Sequence, residues 1–377
     1  MSEGLPSKPP ASGAPRSRLE KRVLAVFLAL LLGLAFSELV LRLVGNGPIP
    51  IDRPSLLVYF WVRDAKLGFR NRADGDFHDV RTGSHVHTGR FGERLGVHWD
   101  GETTRPTVLF VGDSTTFCGE VEDDETYPSE VAKLLPDHVP CVNLGVAGYN
   151  TVQSLRMTEE WLDRVPAKLV VYMYCDNDYI ENVLAGDLEI QKPSHPPHAE
   201  VGPAGLHLID VPADAGPWGA PVGVDGPLKF LDRIADVSAI GGVAKRLANR
   251  QDPTPWLNSF EIVEKRLHAT EVLDGLLILL RDLCARRGVP LLVTRFTTGR
   301  SSLVEGVRFK NTNDKIEAAC RKANVHFVDI QDAFTLPPND YRAHLRGGMI
   351  DAHHNHLGTR TMGEALAPHI RTALEGH

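Results

Sequence analysis

The 377-residue sequence predicts an α/β fold, a flavodoxin-like three-layer α/β/α sandwich around a parallel sheet, preceded by one transmembrane helix. Three observations predict it. From Thr107 to Leu374, β-branched apolar runs alternate with helical patterns, the order that builds a parallel sheet covered on both faces. The first of these runs stops at Gly112-Asp113-Ser114, a small residue, an acid and a hydroxyl at a strand rim, where open α/β sheets place their chemistry. From Val23 to Val44 runs a nearly unbroken apolar stretch, about the 20 residues that a helix needs to cross a bilayer core.

Residues 1–22 form a Ser-, Pro- and Gly-rich tail expected to be disordered and cytoplasmic. Residues 23–44 are the transmembrane helix. Lys8, Arg16, Arg18, Lys21 and Arg22 precede it against Glu3 and Glu20, so the positive-inside rule keeps the N-terminus in the cytoplasm and exports the rest, to the periplasm or cell surface. Glu38 and Arg42 interrupt the stretch near its far end, four residues apart on one face, where they can pair or snorkel. Ala35-Phe36-Ser37 offers a cleaved signal peptide as the alternative. The apolar run continues past Ser37 and the preceding segment is long, which favours an anchor. Residues 45–105 read as a tether and an irregular lead-in carrying Tyr59, Phe60, Trp61 and Phe69.

Residues 106–377 carry the alternation. Strands are expected at Thr107–Val111, Cys141–Leu144, Lys168–Tyr174, Val289–Phe296 and Val325–Ile330. Helices are expected at about Tyr127–Leu135, with Thr126 as N-cap and Pro128 in the first turn, then at Val152–Arg164, Thr270–Arg287, Asp314–Ala323 and Thr359–Leu374. The Thr270–Arg287 segment places Val272, Leu273, Leu276, Leu277, Leu280, Leu283 and Cys284 at three- and four-residue spacing, with Gly288 as its stop. Between 183 and 259 the pattern dissolves into Pro and Gly, a structureless insertion that is either a lid over the site or a solvated loop.

A net charge of −7 with no Lys/Arg stripe beyond the first residues argues against nucleic acid, which demands a concentrated basic surface. Five widely spaced cysteines without a CxxC pair read as buried thiols. Cys118, four residues past Ser114, belongs with them. The histidines at 85, 87, 195 and 198 read as loop residues.

Four blocks in order carry a resemblance. They are Gly112-Asp113-Ser114; Gly145 within Asn143-Leu144-Gly145-Val146; Asn177 within Cys175-Asp176-Asn177-Asp178; and Asp351-Ala352-His353-His354-Asn355-His356-Leu357-Gly358. Together they resemble the SGNH or GDSL-type hydrolases, a family of esterases and lipases, over roughly Asp64 to Leu374. Cys175 stands where the third block usually has glycine. The spacing Asp351, His353, Asn355, Gly358 is similar to membrane-anchored bacterial members and to sugar O-acetylation proteins. The resemblance implies the SGNH hydrolase fold and a serine esterase that uses no cofactor. It further implies an acyl ester of a glycan, lipid or small molecule as substrate.

The residues fit that chemistry. A serine hydroxyl is a poor nucleophile near neutral pH and needs a base at hydrogen-bond distance, itself oriented on its other nitrogen. Ser114 is the expected nucleophile, His353 the base and Asp351 its orienter. His354, three residues after Asp351, is the alternative base. The N–H groups of Ser114 and Gly145 and the side-chain amide of Asn177 are the expected oxyanion donors. Asp113 is expected to bond local backbone instead of taking part in the reaction. Asp351, His353, His354 and His356 could instead ligate a metal, but no HExxH or second ligand set accompanies them, and no metal is expected. Two further readings remain: acyl transfer to a sugar by the same triad, and a catalytically silent glycan-binding or assembly protein that keeps the fold.

Overall fold

In a computed structural model of the chain the described residues are 18–43, 60–79, 83–99, 101, 104–183, 196–211, 238, 240, 263–296, 308–330, 332–335 and 353–376. The chain divides into two units. One comprises residues 1–53 and 224–252, and the other residues 54–223 and 253–377.

In the first unit, α1 (Arg18–Leu43) is one unbroken helix. Its segment Glu20–Leu43 is long and apolar enough to cross a membrane, and no residue of its most apolar 18-residue window is buried. Glu38 and Arg42 pair at 2.8 Å, as their i,i+4 spacing allows. Glu38 also accepts hydrogen bonds from Ser238 Oγ at 2.8 Å and from the Ile240 N–H at 3.0 Å.

The second unit opens with two short antiparallel pairs in the lead-in: β1 (Trp61–Asp64) with β2 (Gly68–Asn71), and β3 (Asp76–Asp79) with β4 (Ser84–His87). This departs from the irregular lead-in the sequence predicts, and His85 and His87 are strand residues, not loop residues. Four-residue strands are too short for their alternation to stand out, and their apolar side chains are what fix them. Phe60, Trp61, Leu67, Phe69 and Val86 are buried in the same core as the sheet.

The central sheet is built from β5 (Thr107–Gly112), β6 (Cys141–Asn143), β7 (Ala167–Cys175), β10 (Leu291–Phe296) and β11 (His326–Asp329), in the order β11-β10-β7-β5-β6. Every neighbouring pair is parallel. Numbered within the sheet this is the order 2-1-3-4-5, so the order in which strands are added reverses between β5 and β7. That crevice at the carboxyl ends is where such sheets bind ligands.

Alternation along each strand feeds two cores. Leu109, Val111, Val170, Tyr172 and Val293 pack on one face under α4 (Thr151–Leu162), α6 (Ala269–Arg286) and α7 (Arg308–Ala323). Val108, Phe110, Val171, Met173 and Leu292 pack on the other face under α3 (Tyr127–Leu134), α8 (Asp332–Thr335) and α9 (His356–Glu375). All six residues of β5 are buried, and at about 1.5–3 kcal/mol for each large apolar side chain this burial holds the strand end firmly. Thr126 caps α3 through the Ser129 N–H, with Pro128 in the first turn as its missing donor permits.

Part of the 183–259 insertion departs from the expectation of a structureless segment. His198–Gly202 (β8) and Gly205–Ile209 (β9) form a hairpin, with Ala199 fully buried. The turn between them has Gly205 at φ +106°, a conformation that glycine adopts without a Cβ penalty. His198 is therefore a strand residue; His195 lies outside the described residues.

Candidate active site

Ser114 opens a single helical turn, α2 (Ser114–Phe117), directly after β5. Asp113 caps that turn, its Oδ1 accepting the Thr115 N–H at 2.9 Å, so the acid beside the serine satisfies backbone donors. Both glycines of the first two blocks stand where backbones meet. A Cβ on Gly112, at φ +156°, would lie 2.3 Å from Thr116 Oγ1 and 2.8 Å from the Met173 carbonyl. On Gly145 it would lie 2.2 Å from the Phe117 nitrogen. Asn143 completes this junction, its Nδ2 donating to the Thr116 carbonyl at 2.8 Å while its Oδ1 accepts the Gly145 N–H at 3.0 Å.

A buried arginine holds the next stretch. Arg94 is fully buried; its Nη1 donates to the Phe117 carbonyl at 2.8 Å and to that of Cys118, and its Nη2 to that of Val121 at 2.5 Å. Its Nε reaches Asp123 Oδ1 at 3.3 Å, and its guanidinium lies over the Phe117 ring. Burial pulls its pKa down from the usual arginine value, and the charge of Asp123 opposes that shift. Cys118 within this loop is buried, donates its thiol to the Thr115 carbonyl at 3.0 Å, and is pushed up to about 12 by burial. Such a thiol is unreactive.

His353 Nε2 lies 3.0 Å from Ser114 Oγ across 239 positions of chain. Asn355 accounts for how it gets there: as N-cap of α9 it accepts the Leu357 and Gly358 N–H groups at 3.0 and 3.1 Å, fixing the chain direction two residues after the imidazole. His353 Nδ1 is 3.4 Å from Glu120 Oε1. His354 is buried with its ring 5.1 Å from that of Phe334; among the described residues the histidine on Ser114 Oγ is His353. Asp351 lies outside the described residues.

Across the crevice, Asn177 precedes α5 (Asp178–Glu181) and donates Nδ2 to Glu181 Oε2 at 3.0 Å. Asp178 accepts the Tyr172 hydroxyl at 2.9 Å and the Cys175 N–H at 3.0 Å. Burial, with the charge of Asp113 adding to it, pushes the Asp178 carboxyl well above the carboxylate range. Thr115 Oγ1 and Cys175 Sγ meet at 3.7 Å, joining the two rims. Among the described residues no three His, Cys, Asp or Glu side chains gather as a metal site, and His356 begins α9.

An imidazole nitrogen 3.0 Å from a hydroxyl can take its proton. Gathered around that pair are the first and second blocks and the described part of the fourth, from His353 on. The sequence reading missed Arg94, Asn143 and Glu120. Nothing local marks a lone arginine as buried. Glu120 had a weak signal, since it begins an acidic run six positions past the serine.

The model of the GDSL-like lipase/acylhydrolase family matches residues 110–360. The chain belongs to this family. It is thereby an ester hydrolase in the general sense of lipases and acylhydrolases. Similar solved structures include a member of the lipolytic protein G-D-S-L family from Veillonella parvula DSM 2008, at 11% identity over 71% of this chain and 97% of that one, with TM-score 0.36. A GDSL-like lipase from Bacteroides thetaiotaomicron VPI-5482 aligns at 11% identity over 72% of this chain and 88% of its own, with TM-score 0.36. A carbohydrate acetylesterase family member from Sinorhizobium meliloti aligns at 15% identity over 73% and 100%, with TM-score 0.34. A comparison with curated protein sequences gives no match.

Proposed function

We propose that this GDSL-family chain is a serine esterase that removes small acyl groups from a glycan or lipid outside the cytoplasm, anchored to the membrane by α1. The observation that carries the reading is the 3.0 Å approach of His353 Nε2 to Ser114 Oγ. Ser114 Oγ attacks the acyl carbon while its proton passes to His353 Nε2, giving a tetrahedral intermediate with its charge on the former carbonyl oxygen. Collapse expels the alcohol, which takes the proton from His353 and leaves an acyl-serine. Water then attacks, His353 accepts its proton and returns it to Ser114 Oγ, and the carboxylic acid departs. Asp351 orients the ring from the same loop, a role consistent with residues two apart in extended chain projecting to one side.

The oxyanion would be met by the Ser114 N–H, at a helical N-terminus where backbone donors lack carbonyl partners above them, and by the Asn177 amide, which has a second hydrogen beyond the one given to Glu181. The Gly145 N–H would share its hydrogen bond with Asn143 Oδ1. Support for export comes from the apolar length of α1 and the basic residues ahead of it. A fluorophosphonate probe tests the reading: labelling of the wild type, lost in Ser114→Ala and strongly slowed in His353→Ala, is the expected result. A folded wild type that takes no label overturns it.

A further inference from the structure

Glu120 reaches the reacting pair from a segment that none of the four sequence blocks includes. Its Oε1 lies 3.4 Å from His353 Nδ1, with the Glu120 side chain 13% exposed and the imidazole 35%. The loop that carries it is pinned on both sides of the residue. Before it, the Gly119 carbonyl accepts the Ser84 hydroxyl at 3.2 Å; after it, the Val121 carbonyl accepts Arg94 Nη2 at 2.5 Å. Two further bonds from Arg94, to the Phe117 and Cys118 carbonyls, tie the start of the same loop to the end of the nucleophile turn. Glu120 therefore sits on a backbone whose position is set by a buried cation and the lead-in strand β4, unlike a solvated surface glutamate free to sample rotamers.

We infer that Glu120 is a positioning residue of this site, a carboxylate that takes the Nδ1 side of the His353 ring and keeps Nε2 turned to Ser114. The inference rests on the esterase reading for its consequence in rate, and on geometry alone for the contact. A carboxylate beside Nδ1 favours the tautomer with its proton there, leaving the Nε2 lone pair for the serine proton. It also stabilises the imidazolium formed when Nε2 is protonated. Asp351 retains its place as the acid of the terminal block, so Glu120 adds a second negative group from another part of the fold. Among the described residues, Ser114 from the turn and Glu120 from the loop meet the imidazole. The Glu120 charge also opposes the fall in the Arg94 pKa that burial causes.

The test uses the full-length chain in detergent micelles, with p-nitrophenyl acetate hydrolysis followed across pH for the wild type, Glu120→Gln, Glu120→Asp and Asp351→Asn. Glu120→Gln keeps the shape and removes the charge. It is expected to lower kcat about 10-fold with KM within about twofold, and to move the acid limb of kcat/KM down by about half a pH unit. Glu120→Asp should restore part of both. A merely structural glutamate would change stability without moving the acid limb. Histidine labelled with 13C at Cε1, in a Ser114→Ala background with His353 assigned by His353→Gln, gives a readout independent of turnover. The His353 titration midpoint should fall when Glu120→Gln is added. A midpoint and acid limb identical to wild type in Glu120→Gln overturn the inference. If the wild type hydrolyses no ester and takes no fluorophosphonate while the midpoint still moves, the esterase reading fails and the placement of Glu120 stands.

Discussion

Ser114 follows a strand whose six residues are all buried, and the turn it opens is held by the close approach of Gly112 and Gly145 and by the Asn143 side chain on the Thr116 carbonyl. His353 stands before a helix instead, and its described anchors are the Asn355 cap behind it and side-chain contacts to Ser114 and Glu120. Among the described residues the first half of the site is fixed by tertiary packing, and the second by polar contacts at the start of a helix. Substitutions around the serine should accordingly cost folding stability as well as rate, and those around the histidine mainly rate.

The reacting residues themselves should give the largest effect. Ser114→Ala or His353→Ala is expected to lower kcat on p-nitrophenyl acetate by on the order of 10⁶-fold at unchanged melting temperature, because members of one catalytic device fail together. A drop under about tenfold in Ser114→Ala would remove the serine from the chemistry. Next comes Arg94→Leu, which strips donors from three buried carbonyls and should destabilise the chain by about 3–5 kcal/mol in urea unfolding. Gly145→Ala follows at about 1–3 kcal/mol, since its Cβ meets the Phe117 backbone and something must move. It should also slow turnover by shifting the serine.

Asn355→Ala is the counterpart on the histidine side. Loss of the cap should cost about 1 kcal/mol yet reduce kcat more than Gly145→Ala does for each unit of stability lost. Equal ratios in the two variants would erase the distinction between the two halves.

The smallest effect is a pH dependence. Burial raises the Asp178 carboxyl in the folded chain, so its contribution to stability is complete below the unfolded value of about 3.9 and is lost as pH rises through the raised folded value. Asp178→Asn cannot ionise and keeps an acceptor for Tyr172 and Cys175. Its melting temperature relative to wild type should rise between about pH 4 and about pH 8; a constant difference at both ends contradicts the assignment.

Periodicity made the five sheet strands and the helices between them readable, because burial on two faces leaves a regular apolar spacing in the sequence. The serine, the pair His353 and His354 and the two glycines were readable through the four blocks that carry the family resemblance, the serine also because it ends an apolar strand. The β1–β4 lead-in and the β8–β9 hairpin were not, since strands of four or five residues carry too little alternation to rise above their loops. Only tertiary structure could choose between His353 and His354 for contact with Ser114, because adjacent residues before a helix differ in direction and the Asn355 cap sets which one faces the crevice. It alone also revealed Arg94 and Glu120, whose significance lies in the carbonyls and the imidazole they meet across the fold. A polar side chain acquires that kind of meaning from distant neighbours, and its own position in the chain does not encode them.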